Sequence, residues 1–347
     1  MMNNSANSTS SIFVVGNSRS GTSMVSKILG NHPLVFGFNE LHFFEQLWYP
    51  EKIIKQLTTE EGINLFSELI SLQREGLFAD RNPKQFYEEA STYIKLNSKE
   101  PITPPQVFMD FLLYESEQHN KKIPCEQTPR NLFFIDEILN FYPTAKIVCM
   151  IRDPRDVLLS QKYKWKRKFL GHKRVPFKEV IRSWFNYHPI TISKLWNSNT
   201  KKILNSLNKE NVYLIKYEEL LEQPEIVIER LCSFLNINFY ESMLLIPING
   251  SSVVNDQAGK LGIDKTRSGN FLKGLTTTEI YICQKITSSL KNKFDYNDVS
   301  TRLKLFSFLT TWVSFPVKLS FALLLNIKRS KNLFSSIKRR IVLKNVN

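Results

Sequence analysis

The chain has 347 residues with 47 Lys and Arg against 32 Asp and Glu, a formal charge of +15 at neutral pH. This length suits one elaborated domain, and the charge concentrates anionic ligands, but there is no zinc-finger spacing and no RNA-binding aromatic motif, so nucleic acid is not the expected partner. Four dispersed cysteines (Cys125, Cys149, Cys232, Cys283) without a C-x-x-C pair and a polar start lacking any signal-peptide pattern point to a reducing, cytoplasmic setting.

Residues 1–11 are expected to be a disordered N-terminus, residues 12–300 one domain, and residues 301–347 a separate basic and apolar segment. The apolar run Ile12–Val15 predicts a buried strand, followed by a loop bounded by Gly16 and Gly21 and a helix over Ser20–Leu29. Glycines allow a tight turn whose N–H groups face inward, and the helix N-terminus adds partial positive charge, so the segment is built to hold an anion. The spacing is that of a Walker loop, G-x-x-x-x-G-K-[ST], with Thr22 in place of the lysine and the positive charge moved to Arg19. Arg19, Ser20, Thr22 and Ser23 supply the donors a phosphate or sulfate needs.

Between residues 51 and 121 the pattern is helical, with helices over Glu60–Arg74 and Pro104–Gln118, and reads either as an insertion that covers the site or as an extension of the scaffold. Arg130–Asn140 predicts a further helix. The run Lys146–Ile151 predicts a second buried strand, and where a Walker-type nucleotidase can carry a magnesium-holding Asp at its end, this chain carries Arg152. A guanidinium there grips an anion through paired hydrogen bonds instead of a metal, or else pairs with Asp153 or Asp156 on the surface. Pro154 suits the first turn of the next helix, Pro154–Tyr163, and Ser160, about 9 Å along it, brackets the same anion from a second side. The basic run from Lys162 to Arg174 reads as a solvated loop or as the complement of an acidic acceptor. Further helices are predicted over Phe177–Trp196 and Glu225–Phe234, and a third strand over Asn211–Ile215. Together these give an α/β fold with a central, mainly parallel sheet flanked by helices.

The stretch Leu305–Ile327 is strongly apolar, but Pro316 and Lys318 are expected to split it into halves too short for a span, and basic residues from Lys328 to Arg340 follow. Three readings stand: peripheral contact with an anionic membrane surface, a true span, or a helix packed on the domain.

Gly16-Asn17-Ser18-Arg19-Ser20-Gly21-Thr22-Ser23 and the pattern R-D-P-R-x-x-x-x-S from Arg152 to Ser160 together resemble the sulfotransferases that use 3′-phosphoadenosine 5′-phosphosulfate (PAPS), whose fold is P-loop NTPase-like. Matching segments follow in order: Asn39 to Phe44, Glu126-Gln127-Thr128-Pro129, Tyr217-Glu218-Glu219-Leu220, and Cys232-Ser233-Phe234-Leu235. The resemblance spans about Ile12 to Leu275 and looks closest to the glycan and tyrosylprotein branches. It implies that the first loop, Ser18 to Ser23, holds the phosphosulfate, that Arg152 and Ser160 hold the 3′-phosphate, and that Tyr217 meets the nucleotide. It implies further that Ser252 and Lys265, with Arg267 as the alternative to Lys265, cover the cofactor from a closing loop.

The same resemblance makes Arg19 the group that takes up charge on the transferring group, and Glu40 the general base, with His42 its rival. If the Glu40–His42 segment were helical, at most one of the two would face the acceptor. Glu126 and Thr128 are placed on the acceptor side, Thr128 alternatively as a helix cap. No metal is required in this reading, and the acceptor is a hydroxyl or amine of a glycan, glycolipid or other small molecule. Two other readings remain: a P-loop kinase that transfers phosphate from ATP, and a non-catalytic basic membrane-binding module.

Overall fold

The computed structural model describes residues 11–50, 54–169, 175–248, 259–327 and 338–339. Five strands, β1 (Ile12–Gly16), β2 (Val35–Gly37), β3 (Ile123–Glu126), β4 (Lys146–Ile151) and β5 (Val212–Lys216), form one sheet in the order β2-β3-β1-β4-β5. All four pairings are parallel, and β1 meets β4 with Ile12 opposite Lys146 and Gly16 opposite Met150.

Successive side chains of a strand face opposite sides, and here both sides are covered. Phe13 and Val15 of β1, with Ile147, Cys149 and Ile151 of β4, enter one core. Ile12 and Val14, with Val148 and Met150, enter the other. The second core is closed by α1 (Thr22–Gly30), α9 (Tyr217–Glu222) and α10 (Pro224–Leu235). The first is closed by α2 (Thr59–Arg74), α3 (Tyr87–Asn97), α4 (Pro104–Gln118), α5 (Ile135–Phe141), α6 (Pro154–Lys162), α8 (Pro189–Ser206) and, after a short turn α11 (Phe271–Gly274), by α12 (Thr277–Lys291), whereas α7 (Phe177–Asn186) enters neither core. The chain leaves β1 toward one face and its neighbour β4 toward the other. That divergence opens a crevice at the carboxyl ends of these two strands, where α/β sheets bind ligands.

Two of the five strands, β2 and β3, are not among the three expected: β2 is short, and β3 carries Pro124. The helix expected over Phe177–Trp196 is two helices, since Pro189 lacks an N–H and holds His188 extended, so α7 stops and α8 begins with proline in its first turn. The helix expected from Arg130 begins as a 3₁₀ turn over Pro129–Phe134 before α5 takes over. Pro316 and Lys318 do not split the apolar C-terminal stretch: Leu305–Asn326 is one continuous helix, α13, of 22 residues. Packing against α7 offsets the hydrogen bond lost at the proline, as Phe321 stacks on Phe185 and the Lys318 ammonium lies 4.4 Å from the centre of the Trp184 ring.

Candidate active site

Backbone conformation sets the first loop. Gly16 has φ +148 and a Cβ there would lie 2.4 Å from the Met150 carbonyl oxygen; Gly21 has φ +93 and a Cβ would lie 2.6 Å from the Tyr217 ring. Only glycine lets the loop pass between β4 and Tyr217. Arg19, at φ 78, also takes a left-handed conformation. No side chain caps α1, whereas α2 and α12 both begin with full capping boxes. The first amides of α1 therefore remain available to an anion in the crevice.

The parallel pairing of β1 with β4 brings Arg19 and Arg152 together. Arg19 Nε donates to Ser160 Oγ at 2.9 Å, and Arg152 Nη1 donates to the Arg19 carbonyl at 3.1 Å. The Arg152 guanidinium lies 4.3 Å from the centre of the Tyr217 ring, its Nη2 donates to the Arg267 carbonyl at 2.7 Å, and its buried Nε has no partner. Trp196 Nε1 fixes this strand end by donating to the Arg152 carbonyl at 2.9 Å.

Neither acidic neighbour neutralises Arg152 by a close ion pair. Asp153 caps α6 and pairs with Arg155 at 2.6 Å. Asp156 stays 4.0 Å from Arg152 and accepts instead from the backbone N–H groups of Gly269, at 2.7 Å, and Phe271, at 3.0 Å. Asp156 thus ties the 265–271 segment against the end of β4, a role the sequence reading missed. Burial raises its pKa, with the nearby Arg152 charge and these amides acting in the opposite direction.

The crevice is a cleft of about 1420 Å³. Ser18, Arg19, Gly21, Thr22, Ser23, Arg152, Ser160 and Tyr217 line it, whereas Ser20 does not, its hydroxyl being buried without a partner. Lys265 faces away, donating to the Glu222 carbonyl at 3.3 Å on the surface, whereas Arg267 lines the cleft and pairs with Asp264 at 3.0 Å. Ser252 lies outside the described residues.

Farther along the same cleft stand Glu40 and His42, joined by a 3.2 Å contact between Glu40 Oε2 and His42 Nε2. Their segment is not helical, with His42 at φ 51, so both face the cleft. Burial raises the Glu40 pKa, but the hydrogen bond and charge of His42, with Lys164 and Arg130 beyond, hold it below the ordinary carboxylate value. Behind them, the His42 backbone N–H donates to Thr128 Oγ1 at 3.2 Å, Thr128 Oγ1 donates to Glu126, and Asn131 Nδ2 donates to Glu126 at 2.7 Å. Glu126 and Thr128 are wholly buried and do not line the cleft; Gln127, between them, does, and accepts from Ser23 Oγ at 3.2 Å. Burial pushes the Glu126 carboxyl up to about 7 despite these donors.

The cleft wall also takes in distant parts of the chain: Arg74 at the end of α2 and the turn on to Phe78, Lys164, Glu179 and Arg182, and Leu319, Ala322 and Leu323 of α13. The helical segment before β3 therefore contributes to the wall through α2 and the turn after it. Among the described residues no group of His, Cys, Asp and Glu is arranged to hold a metal ion.

A profile described as the sulfotransferase family matches residues 11–241. A 3-beta-hydroxysteroid sulfotransferase of Cavia porcellus is 26% identical over 127 residues, covering 35% of this chain and 43% of that protein. A putative protein-tyrosine sulfotransferase of Caenorhabditis briggsae is 26% identical over 131 residues, covering 37% of this chain and 42% of that protein. The chain spans less than half the length of the curated relatives it matches first. Among solved structures, a sulfotransferase domain from the curacin biosynthetic pathway is 20% identical with a TM-score of 0.45, covering 81% of this chain and 96% of that one.

Proposed function

This chain belongs to the sulfotransferase family, and from that premise we propose that it moves a sulfuryl group from PAPS to a hydroxyl or amine of a glycan, lipid or other small acceptor. The observation that carries the reading is the convergence of Arg19 and Arg152 on one cleft, hydrogen-bonded through the Arg19 carbonyl, beside the uncapped start of α1 and with Glu40 on the same cleft. The residues fit such a nucleotide. Arg152 keeps a buried Nε without a partner, and Gly16 and Gly21 leave backbone where any side chain would intrude.

When bound, PAPS supplies an activated sulfuryl group on a phosphate leaving group. The loop from Ser18 to Ser23 would hold the phosphosulfate end through its amides and the hydroxyls of Ser18, Thr22 and Ser23, and Arg152 with Ser160 would hold the 3′-phosphate. Tyr217 packs against Gly21 and Arg152 and offers a ring face beside the nucleotide. Arg267 is better placed than Lys265 to close over it. Glu40, ionised at neutral pH, accepts the proton from the acceptor oxygen or nitrogen as that atom attacks sulfur, and His42 orients the carboxylate through their shared contact. Arg19 would hold the bridging end of the phosphosulfate, where its fixed positive charge favours a phosphate leaving group without a proton donor.

Calorimetric titration with adenosine 3′,5′-bisphosphate tests the reading. Tight binding in the presence of a chelator is expected. Binding that appears only with magnesium and favours ATP means a phosphoryl-transferring kinase, and no nucleotide binding means a non-catalytic module.

A further inference from the structure

Helix α13 has two faces with different partners. Its inner side is tied to the domain at intervals along its length: His188 Nε2 donates to the Thr311 carbonyl at 3.1 Å, Lys318 Nζ to the Tyr187 carbonyl at 3.4 Å, and Asn326 Nδ2 to Asn186 Oδ1 at 2.8 Å. Leu319, Ala322 and Leu323 then form part of the cleft wall. The outer side is a stripe at helical spacing, Phe306, Leu309, Val313, Val317 and Leu324, in which Phe306 is 82% exposed and Val313 75% exposed. An apolar hollow of about 570 Å³ runs between this stripe and Trp184 of α7. Contiguous exposed apolar surface of this kind marks a docking site.

Charge identifies what docks. Arg302 and Lys304, both exposed, precede the stripe, and in the sequence Lys328, Arg329 and Lys331 follow it, so the apolar segment is bracketed by basic residues along the chain. Apolar residues flanked by cations, with Trp312 and Trp184 exposed beside them, match an anionic bilayer surface. The helix is long and apolar enough to span, but spanning would strip Lys318 of its Trp184 ring and carbonyl partner and carry its ammonium toward the bilayer centre, which is unfavourable.

We propose that the outer face of α13 seats the domain on an anionic membrane while its inner face walls the cleft, so that the acceptor is a hydroxyl- or amine-bearing amphiphile taken from that membrane. The acceptor part rests on the sulfuryl-transfer reading above. The amphiphile's headgroup reaches Glu40, and its chain lies along Leu319 and Leu323 toward the lipid.

Flotation of the full chain with phosphatidylcholine vesicles, with and without phosphatidylserine, tests the docking. The chain is expected to float with the anionic vesicles, less so at high salt, and a Phe306→Glu, Val313→Glu double variant to lose at least tenfold in bound fraction while binding adenosine 3′,5′-bisphosphate as before. Equal flotation of the double variant, absence of flotation of the parent, or a dimer in solution that the double variant dissolves in place of vesicle binding overturns it. A failure to bind nucleotide with flotation intact sinks only the sulfuryl-transfer reading. For the acceptor, a photoreactive alkyl glucoside in the anionic vesicles is expected to label Leu319 or Leu323 in the nucleotide-saturated protein. Label confined to the outer stripe overturns that part.

Discussion

The two ends of the cleft are made of different material. At the nucleotide end, a loop of fixed backbone conformation, two guanidinium groups and a tyrosine ring hold one another at the carboxyl ends of adjacent strands. On the part of the wall that we propose takes the acceptor, the lining comes from helix ends and helix faces contributed by α2 and the turn after it, α7 and α13, with charged and apolar side chains mixed. The first kind of site tolerates little change, because parallel strand pairing and positive-φ glycines leave one arrangement. The second can be rebuilt by changing surface helices without touching the sheet, which lets one transfer chemistry serve different acceptors. We propose that Glu40 and His42, which line the same cleft, work at the junction of the two.

Four substitutions would break or sharpen this contrast. The largest effect belongs to the junction: Glu40→Gln is expected to lower kcat by roughly 10²–10⁴ with nucleotide affinity unchanged, and full turnover in the variant removes Glu40 from proton transfer. Next, Arg152→Ala is expected to raise the cofactor KM by about 10–100-fold, since it removes charge-assisted hydrogen bonds, with a smaller change in kcat at saturation; a fall in kcat alone contradicts the assignment.

Gly21→Ala probes the rigidity of the nucleotide end. It forces a side chain into φ +93 and against the Tyr217 ring, so chemical denaturation is expected to show a loss of about 1–3 kcal/mol together with weakened nucleotide binding. Wild-type values on both counts would mean that the loop is not held as described.

The subtlest effect lies behind the acceptor-side loop. Glu126 titrates near 7 in the folded protein against 4.5 for an unperturbed carboxyl, so the native state keeps a proton that the unfolded chain has already released. Its contribution is most favourable below the unfolded value and fades as pH rises through this interval, by on the order of 3 kcal/mol. Unfolding free energies at acidic and at mildly alkaline pH should therefore differ less in Glu126→Gln than in the parent. An unchanged difference refutes the assignment.

The nucleotide end was legible in the sequence because its determinants are short, local patterns: glycines at fixed spacing, an arginine where a strand stops, and a serine eight residues later. Even there, Ser20 faces inward and Asp156, read from the sequence only as an alternative partner of Arg152, holds the 265–271 segment through its backbone amides. The acceptor end was legible only in outline. That Glu40 and His42 share a face follows from the unwound backbone at His42, which no periodicity signals. That Glu126 and Thr128 lie behind the wall while Gln127 lines it reflects alternation at the end of β3, a strand disguised by its proline. Likewise Pro316 marked a break in the sequence, but tertiary contacts with α7 carry the helix through it.

The central claim is that Arg152 reads the 3′-phosphate while the Arg19 loop holds the 5′ end. Comparative titration of adenosine 3′,5′-bisphosphate and adenosine 5′-monophosphate into the parent protein and Arg152→Ala tests it most directly. A marked preference for the bisphosphate in the parent that disappears in the variant, leaving monophosphate affinity largely unchanged, is the predicted result. An undiminished preference in the variant would contradict the account.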